Sequence, residues 1–513
     1  MNEPALRGLV AGVVSVGAGL GAAEVVTGLL SLRSSPVLAI GEGVIEVTPG
    51  DLAEAAIAAV GQLDKPLLVI GTVLGALLLG GLAGSLATSR RVLGMLVLVA
   101  MGGLGMVAAM SAPDSSVADA LPPVVAALVS MGLLSYLLGW AARGTASESG
   151  APSEPDERPG ALDRRGFLAR AGVVGLGAVA LTGVGRLLSG GRQAVEAARQ
   201  AVSLRLPKPV APQGVAVPVP GVGPWITPND TFYRIDTALA VPRLVPEDWR
   251  LRIHGMVDRE IELTYDDLVG RGLRQHWFTL CCVSNEVGGS LIGNAQWSGV
   301  RIADLLAEAG VQPGADAVLS TSVDGWNCGT PLEALTDDRA ALLAVAMNGE
   351  PLPIEHGFPV RMVVPGLYGY VSATKWVVDL EVSRFADFSA YWTQRGWSPR
   401  GPVKTQSRID APRNGDELRA GPVAVGGVAW AQHTGIEKVE VRIDDGPWQP
   451  ARLAGVPNLD TWRQWAYGWD AEPGEHRVAV RATDMSGYTQ TPERTDVVPD
   501  GATGWHTIVV SVT

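Results

Sequence analysis

Cysteine is scarce in this chain, which has three in 513 residues. So few thiols exclude a disulfide-stabilised scaffold and every metal site that needs several cysteines, such as a zinc ribbon or an iron–sulfur cluster. Two of the three, Cys281 and Cys282, are nevertheless adjacent in the stretch HWFTLCCVSNEVGG, between an apolar run and a glycine-rich turn. A buried cysteine is most often a small hydrophobe. A side chain at the end of a strand can also project towards a ligand, so this pair is a candidate for chemistry.

Charge is scarce too. Only 18% of the residues are charged, whereas about a quarter are charged in an average soluble protein. The mean hydropathy is +0.21, so we expect part of the chain to lie in lipid. The net charge of -12 and the lack of a Lys/Arg cluster exclude a nucleic-acid binder. None of the six histidines precedes residue 190, so the first part cannot hold a bis-histidine haem and no haem is expected.

Four long apolar runs predict a transmembrane region over residues 1–143, because each is close to the ~20 residues that a spanning helix needs. They are Leu9–Leu32, Leu67–Ala87, Val92–Met110 and Ala118–Ala142. The connection Ser89-Arg90-Arg91 is basic and the flanking connections are acidic, which places both ends of this region in the cytoplasm. Glu24 lies within the first run, where a carboxylate either faces a partner or a water path, or reaches the surface from a helix end.

A polar linker over 144–163 leads to a second hydrophobic segment. Arg164 and Arg165 precede Gly-Phe-Leu and the small-residue apolar run Ala171–Leu188. Paired arginines before a weakly hydrophobic helix are typical of a twin-arginine export signal, and the alternative is a fifth helix with ordinary cytoplasmic arginines. Both interpretations place the residues after Ser189 on the outer face of the membrane. We therefore expect a membrane anchor over 164–190, then a linker over 191–223.

The remaining sequence predicts two globular domains. Residues 224–404 combine short strands, many Gly/Pro turns and one clear helix at Ile302–Ala309, as expected for an α+β domain. Residues 405–513 contain β-rich runs separated by turns, which predict a β-sandwich of immunoglobulin-like architecture. These runs are Val423–Trp430, Lys438–Ile443, Arg477–Ala482 and Thr507–Val512.

Three basic side chains stand within otherwise apolar strands of the predicted α+β domain: His356, Arg361 and Lys375. Arginine binds a phosphate bidentately and lysine binds it as a point charge. A thiol at Cys281 or Cys282 together with a phosphate-binding cluster indicates a soft metal carried on an organic, phosphate-bearing cofactor.

Seven stretches stand in order between residue 226 and the last residue given: ITPNDTFYRID, TLCCVSNE, NAQWSGVRIADLL, HGFPVRMVVPGLYGYVSATKW, RGWSP, GVAWAQHTGIEKVEVRIDDGPW and WHTIVVSV. In these stretches, their order and their spacing, the chain resembles the sulfite-oxidase family of molybdopterin enzymes. The resemblance implies one molybdenum bound by a pterin dithiolene, oxo groups and one cysteine. It also implies a possible homodimer formed through the C-terminal domain.

The resemblance assigns roles to individual residues. The family's cysteine-x-x-asparagine pattern falls on Cys282 and Asn285, which makes Cys282 the implied metal ligand and Cys281 its neighbour. Arg234 and Arg481 match arginines that bind the anionic substrate of sulfite oxidases. The implied cofactor contacts are Phe232, Tyr233, Arg234, Asp324, His356, Arg361 and Lys375.

Two positions depart from the family's pattern. The basic residue expected shortly after the cysteine ligand is replaced by Glu286-Val287, and the tyrosine expected before the GWSP-like segment is Gln394. The pocket is therefore expected to be less cationic than a sulfite site. Because charge in a partly dry pocket changes which ligand binds, these departures bear on the substrate class.

The sequence thus predicts a multidomain, membrane-integral molybdenum oxidoreductase with its catalytic half on the extracytoplasmic face. It would transfer an oxygen atom on a small sulfur compound and exchange electrons with a separate carrier or the quinone pool. One alternative is reduction of a sulfoxide or an N-oxide on the same fold. Others are an acyl-transfer enzyme with a cysteine nucleophile and His356 as base, and a binding module without catalysis.

Overall fold

The computed structural model describes residues 3–513 except 31, 33–34, 50–51, 53–59, 61–62, 112–114, 147–158, 189–190, 203, 205 and 207. At 141–146, 159–165, 185–188 and 191–193 only the backbone is described. The chain divides into two compact units. The first is Met1–Ala194 with Ala238–Arg243, and the second is Val195–Thr237 with Leu244–Thr513.

The first unit is helical. Its helices are α1 (Glu3–Leu29), α2 (Pro36–Val47), α3 (Asp64–Ala87), α4 (Arg91–Ser111), α5 (Leu121–Ala146) and α6 (Pro159–Leu188). Five stretches of the described residues are long and apolar enough to cross a membrane, judged by length and composition: α1, α3, α4, Val117–Trp140 and Gly166–Val184. The expected N-terminal apolar helices are therefore present, and their insertion in a membrane stays a prediction.

Glycines let two of these helices approach closely. Gly8 and Gly12 of α1 lie against Gly84 and Gly80 of α3, and a Cβ on Gly12 would overlap the carbonyl oxygen of Gly80. Small residues at a helix interface permit this backbone approach, which increases the dispersion contacts between the two helices. Gly8 and Gly12 of α1 thus serve helix packing.

Two helical features were not predicted. Helix α2 has 12 residues, which is too short for a span, and its sequence contains Glu42 and Glu46. Helix α6 begins at Pro159, inside the predicted linker 144–163, because proline is favoured in the first turn of a helix. The rest of that linker, 147–158, and the side chains of Arg164 and Arg165 lie outside the described residues, so the export signal stays a prediction.

Two mixed or antiparallel sheets and several short helices form the first part of the second unit. One sheet has the order β2-β1-β10-β5-β6, with β1 and β10 parallel. The other has the order β3-β4-β7-β8, with β9 also paired to β7. The strands are β1 (Arg250–Gly255), β2 (Ile261–Thr264), β3 (Arg274–Cys281), β4 (Ile292–Arg301), β5 (Ala317–Ser322), β6 (Asn327–Pro331), β7 (Leu342–Met347), β8 (Glu350–Pro351), β9 (Arg361–Val363) and β10 (Val377–Ser383).

The helices of this unit are short. They are α7 (Gly191–Ala201), α8 (Tyr265–Gly270), α9 (Ile302–Ala309) and α10 (Leu332–Thr336). Helix α7 begins a few residues before the unit and occupies the start of the predicted linker 191–223, where no helix was expected. The helix predicted at Ile302–Ala309 is confirmed with the same bounds. Its apolar face is buried, and Gly310 ends it at φ 73°, in the left-handed region that favours glycine.

The C-terminal part is rich in sheet, as expected. Two sheets, β11-β13-β17-β16 and β12-β19-β18-β14-β15, share one core to which the first contributes Val425 and Trp465 and the second Val439 and Val480. Their strands are β11 (Gln406–Ala411), β12 (Glu417–Leu418), β13 (Gly421–Trp430), β14 (Ile436–Ile443), β15 (Gln449–Pro450), β16 (Arg452–Leu453), β17 (Arg463–Ala471), β18 (Gly474–Asp484) and β19 (His506–Val512). The four predicted β runs lie within β13, β14, β18 and β19, and the immunoglobulin-like assignment stays a prediction.

Candidate active site

A pocket that is open to solvent lies in the second unit and brings together segments far apart in sequence. The lining residues are Phe232, Tyr233, Ile235, Asp236, Thr237, Leu280, Cys282, Val283, Ser284, Ser322, Asp324, Trp326, Arg361, Gly369, Tyr370, Ala373, Lys375, Trp376, Trp392 and Trp397.

The adjacent cysteines have different surroundings. Cys282 lines the pocket. Cys281, which is 1% exposed, belongs to the main hydrophobic core, and its Sγ lies 3.4 Å from the carbonyl oxygen of Cys282. Strand β3 ends at Cys281, and successive side chains of a strand point to opposite faces. The structure thus separates a core thiol from a pocket thiol.

Asn285 closes the loop that carries Cys282. The backbone N–H of Asn285 donates to the carbonyl of Cys282 at 3.1 Å, and the N–H of Leu291 donates to Asn285 Oδ1 at 2.8 Å. The N–H of Cys282 donates to the carbonyl of Leu291 at 2.9 Å. These bonds fix both ends of the loop, which gives a physical reason for an asparagine three residues after a pocket cysteine.

The C-terminal sheets support the same loop. Arg408 in β11 donates from its guanidinium to the carbonyl of Gly289 at 2.7 Å. The ring of His506 packs against Gly288, whose φ is 81° and where a Cβ would overlap the imidazole. His506 Nδ1 in turn accepts from the backbone N–H of Ile409 at 2.9 Å. Sequence reasoning missed this support, for which the only sequence signal is the Gly288-Gly289 pair.

Arg361 is a buried cation of the pocket wall. It is 3% exposed and donates to the carbonyls of His356 at 3.2 Å and Ala373 at 3.3 Å. Within the described part of the chain it has no carboxylate at ion-pair distance, and its Nε has no hydrogen-bond partner. Burial lowers the pKa of Arg361 to about 10, so the side chain is still charged at neutral pH. A buried charge in this state favours an anionic ligand.

Lys375 is also buried, and Asp236 is its counter-ion. Its Nζ lies 3.0 Å from Asp236 Oδ2 and donates to the carbonyl of Glu355 at 2.9 Å. Burial, opposed by the charge of Asp236, lowers the pKa of Lys375 to about 8. Arg234 Nε also pairs with Asp236 Oδ2, at 2.9 Å. Sequence reasoning missed Asp236, although a buried lysine calls for a carboxylate partner. The expectation that His356, Arg361 and Lys375 all lie in strands was wrong, because only Arg361 does, in β9.

His356 lies behind the pocket wall and does not line it. Its ring packs edge-on against Phe232, with 5.6 Å between centroids. Burial, and then the charges of Lys375 and Arg361, lower the pKa of His356 to about 3, so the ring is neutral near pH 7. Its Nε2 lies 3.3 Å from the carbonyl oxygen of Asn229, which can only accept, so Nε2 carries the hydrogen. Such a weak base does not support the acyl-transfer alternative.

The other predicted site residues divide into two groups. Phe232, Tyr233 and Asp324 line the pocket, with Phe232 and Tyr233 stacked at 5.2 Å. Arg234 and Arg481 do not line it. Arg234 is paired with Asp236, as above, while Arg481 in β18 pairs with Glu440 at 2.9 Å and lies 4.4 Å from the ring centroid of Trp448.

The two positions that depart from the family's pattern also lie away from the pocket wall. Glu286 is exposed, and neither it nor Gln394 lines the pocket. Gln394 donates to the carbonyl of Ser389 at 2.7 Å. Neither replacement therefore contributes a side chain to the pocket lining.

The pocket's donors fit a cofactor that combines a soft metal with an anionic tail. Burial raises the pKa of the Cys282 thiol, and hydrogen bonds from Ser284 and the charge of Lys375 oppose this. A soft metal would take the place of the thiol proton. Arg361, with its unpaired Nε, offers the complementary charge for a phosphate in the same pocket.

Comparisons with known proteins agree with this donor set. Residues 238–392 match the family described as oxidoreductase molybdopterin binding domain. The chain is 32% identical over 320 residues to mitochondrial sulfite oxidase of Homo sapiens, covering 52% of this chain and 58% of that protein. It is 35% identical over 153 residues to the uncharacterized oxidoreductase YuiH of Bacillus subtilis (strain 168), covering 30% of this chain and 74% of that protein.

One solved structure is similar to part of the chain. The crystal structure of the sulfane dehydrogenase SoxCD from Paracoccus pantotrophus aligns with a TM-score of 0.49 and 26% identity, covering 57% of this chain and 84% of that one. The chain spans less than two thirds of the length of the human relative.

Proposed function

Because the chain belongs to the sulfite-oxidase family of molybdopterin-dependent oxidoreductases, we propose that it transfers an oxygen atom between water and a small sulfur compound in the pocket around Cys282. The protein is an oxidoreductase, and its cofactor is molybdenum–molybdopterin. The observation that carries the proposal is a single pocket lined by a buried thiol and a buried, carboxylate-free arginine. The name of the human relative states that sulfite is oxidised by that protein. For this chain, action on a sulfur compound is a proposal.

The side chains of the pocket divide the work of holding the cofactor. Cys282 would hold the metal through Sγ, and Arg361 with Lys375 would hold the phosphate of the pterin tail. Phe232, Tyr233 and Asp324 would contact the pterin, with His356 supporting Phe232 from behind. When bound, the group supplies a two-electron redox centre at which oxygen is exchanged.

Arg361 would contribute more to anion binding than Lys375. The charge of Lys375 is already matched by Asp236 at 3.0 Å, while no carboxylate in the described structure pairs with Arg361. An anion that reaches Arg361 therefore relieves an uncompensated buried charge, whereas at Lys375 it competes with an existing ion pair. Catalytic roles for Arg234 and Arg481 rest on the family resemblance alone.

We also propose that the protein is integral to the cell membrane, with the second unit outside the cytoplasm. Five candidate spans and the basic Ser89–Arg91 connection support this, because an odd number of spans puts the two ends of the helical region on opposite sides. The pair Arg164-Arg165 would direct export. The two C-terminal sheets would form an immunoglobulin-like domain that pairs two copies, and electrons would pass to a separate carrier or the quinone pool.

The second candidate is the reverse reaction, reduction of a sulfoxide or N-oxide. It is favoured by the balance of charge in the pocket wall, where Arg361 and Lys375 are matched in number by Asp236 and Asp324. A neutral substrate is compatible with such a wall, and a sulfur oxyanion is less so.

Elemental analysis combined with a substrate screen tests the proposal. Full-length protein purified in detergent should contain about one molybdenum per chain. It should turn over sulfite, thiosulfate, a thioether or a sulfoxide with an artificial electron acceptor or donor. Protein with stoichiometric molybdenum that turns over no sulfur compound in either direction would contradict the proposed function.

A further inference from the structure

A tight turn begins at the pocket thiol. The backbone N–H of Asn285 donates to the carbonyl of Cys282 at 3.1 Å, which closes a β-turn with Val283 and Ser284 at its two central positions. Cys282, Val283 and Ser284 all line the pocket. A side chain at the first position of such a turn can accept from the N–H two residues on, as in an Asx-turn. The turn therefore brings backbone donors to the sulfur of Cys282.

Three hydrogen-bond donors meet the sulfur of Cys282. They are the backbone N–H groups of Val283 and Ser284 and the hydroxyl of Ser284. Burial raises the pKa of this thiol and the three bonds oppose the rise, because they stabilise the negatively charged sulfur. Each non-proline residue supplies a backbone N–H whatever its side chain is. Of the three donors, only the hydroxyl depends on which side chain the sequence places in the turn.

A hydrogen bond to a metal-bound thiolate acts on the metal as well as on the sulfur. The positive end of the donor draws electron density from the sulfur, so that the thiolate gives less density to the metal. The reduced metal carries an additional electron, and the nearby positive end stabilises it more than it stabilises the oxidised metal. Hydrogen bonds around cysteine sulfur tune the reduction potentials of blue-copper and iron–sulfur centres. A donor at the sulfur therefore raises the reduction potential.

We propose that Ser284 is a positioning residue whose hydroxyl, through the sulfur of Cys282, raises the reduction potential of the metal bound there. This inference rests on the proposed function in one respect, that Cys282 binds molybdenum. A raised potential makes the bound metal a stronger electron acceptor. Ser284 would therefore favour oxidation of a substrate in this pocket over reduction of one.

A redox titration monitored by electron paramagnetic resonance tests the inference without any substrate. Molybdenum-loaded, full-length protein is titrated with dithionite and redox mediators, and the signal of the one-electron-reduced metal gives the midpoint potential. Ser284→Ala removes the hydroxyl and keeps both backbone donors. We expect the ratio of reduced to oxidised metal at a fixed potential to fall about tenfold, a midpoint about 59 mV lower, because a hydrogen bond to a charged group has this order of strength.

Two further variants separate the hydroxyl from the loop. Ser284→Thr keeps a hydroxyl and should restore most of the parent's midpoint potential. Ser290→Ala makes the same chemical change at an exposed serine of the same loop, outside the pocket lining, and should leave the midpoint unchanged. A purely structural role of Ser284 would lower the molybdenum content and would not move the midpoint of the metal that stays bound.

The outcomes distinguish the inference from the function on which it rests. A midpoint in loaded Ser284→Ala that equals the parent's, or exceeds it, would overturn the inference, whether or not molybdenum content falls. The expected shift in protein that turns over no sulfur compound would support the inference and contradict the proposed function. A parent protein that contains no molybdenum would overturn both.

Discussion

Two arginine–tryptophan pairs in the second unit differ in what neutralises the arginine. Arg361 lies 5.1 Å from the ring centroid of Trp297, in the wall of the pocket, and Arg481 lies 4.4 Å from that of Trp448, on strand β18. Arg481 forms an ion pair with Glu440 at 2.9 Å. In the described structure no carboxylate pairs with Arg361. The same residue types therefore form a closed structural cluster in one place and an open binding position in the other.

Some residues of the C-terminal sheets contribute to the site and others do not. Arg481 does not reach the pocket lining. Arg408 and His506 do affect the site, because they hold the loop that carries Cys282. We therefore expect large effects from substitutions in the pocket, intermediate effects from those in the loop's support and small effects from those in the Arg481 cluster.

The largest effect is expected at the pocket thiol. Cys282→Ser should reduce turnover by about a thousandfold or more, because a residue at the reacting centre is removed. Cys281→Ser, in the core next to it, should keep turnover within a few-fold. Steady-state rates per folded protein measure both, and equal losses in the two variants would show that the wrong sulfur has been assigned.

The next effect is expected at the open arginine. Arg361→Gln should lower cofactor affinity by about a hundredfold, since a buried charge facing an anion is lost. The cofactor-free variant should be at least as stable as the cofactor-free parent, because an uncompensated buried charge has gone. Molybdenum content and thermal unfolding measure the two, and a variant that loses stability but keeps its cofactor would assign Arg361 to packing.

Loop support should matter at an intermediate level. Gly288→Ala introduces a Cβ that overlaps His506 and a residue at positive φ, which should cost about 1–3 kcal/mol locally and displace the loop. Gly487→Ala is the matched control, because its φ is 89° and nothing lies within 4 Å of the added Cβ. Molybdenum content should fall for Gly288→Ala and not for Gly487→Ala. Equal molybdenum content in the two variants would show that the contact between Gly288 and His506 does not support the site.

A pH dependence should distinguish Lys375 from Arg361. Burial sets the pKa of Lys375 near 8, below its ordinary 10.5, and an anion favours the charged form. Rebinding of cofactor to the cofactor-free protein should thus weaken about tenfold from pH 7 to pH 9, as the lysine loses its proton. Lys375→Arg keeps the charge and should flatten this dependence. A parent protein with no change over this range would contradict the role of Lys375.

The same shift has the opposite effect on the stability of cofactor-free protein. Between about pH 8 and pH 10.5 the unfolded chain binds more protons at Lys375 than the folded one does. The contribution of this group to stability therefore rises with pH in that window. Unfolding of the cofactor-free parent and of Lys375→Arg across the window measures this contribution.

The smallest effect is expected at the closed arginine. Arg481→Gln should change kcat/KM less than about threefold, because its charge is already matched by Glu440 outside the pocket. A large rise in KM with cofactor content unchanged would instead support the substrate-binding role that the family resemblance implies.

The sequence alone predicted the local features of this molecule well. Periodicity and turn residues predicted the apolar runs, the helix at Ile302–Ala309 and the C-terminal strands. Each of these patterns involves residues only a few positions apart in the sequence. The choice of Cys282 over Cys281 came from the family resemblance, through the asparagine three residues later. These signals depend on neighbours in the sequence, so no tertiary information was needed.

The partners of the site residues could not be predicted in this way. Asp236 and Lys375 are 139 residues apart, and Arg408 and Gly289 are 119 apart. Whether Arg234 reaches the pocket or pairs with Asp236 is likewise decided by tertiary packing. The resemblance supplied candidate residues, and only the fold separated those lining the pocket from His356, Arg234 and Arg481.

X-ray absorption at the molybdenum edge counts the sulfur atoms bound to the metal, so it tests whether Cys282 is a ligand. We predict that Cys282→Ser loses one sulfur ligand relative to the parent protein, while Cys281→Ser retains the parent's count. An unchanged sulfur count in molybdenum-loaded Cys282→Ser would show that Cys282 does not bind the metal.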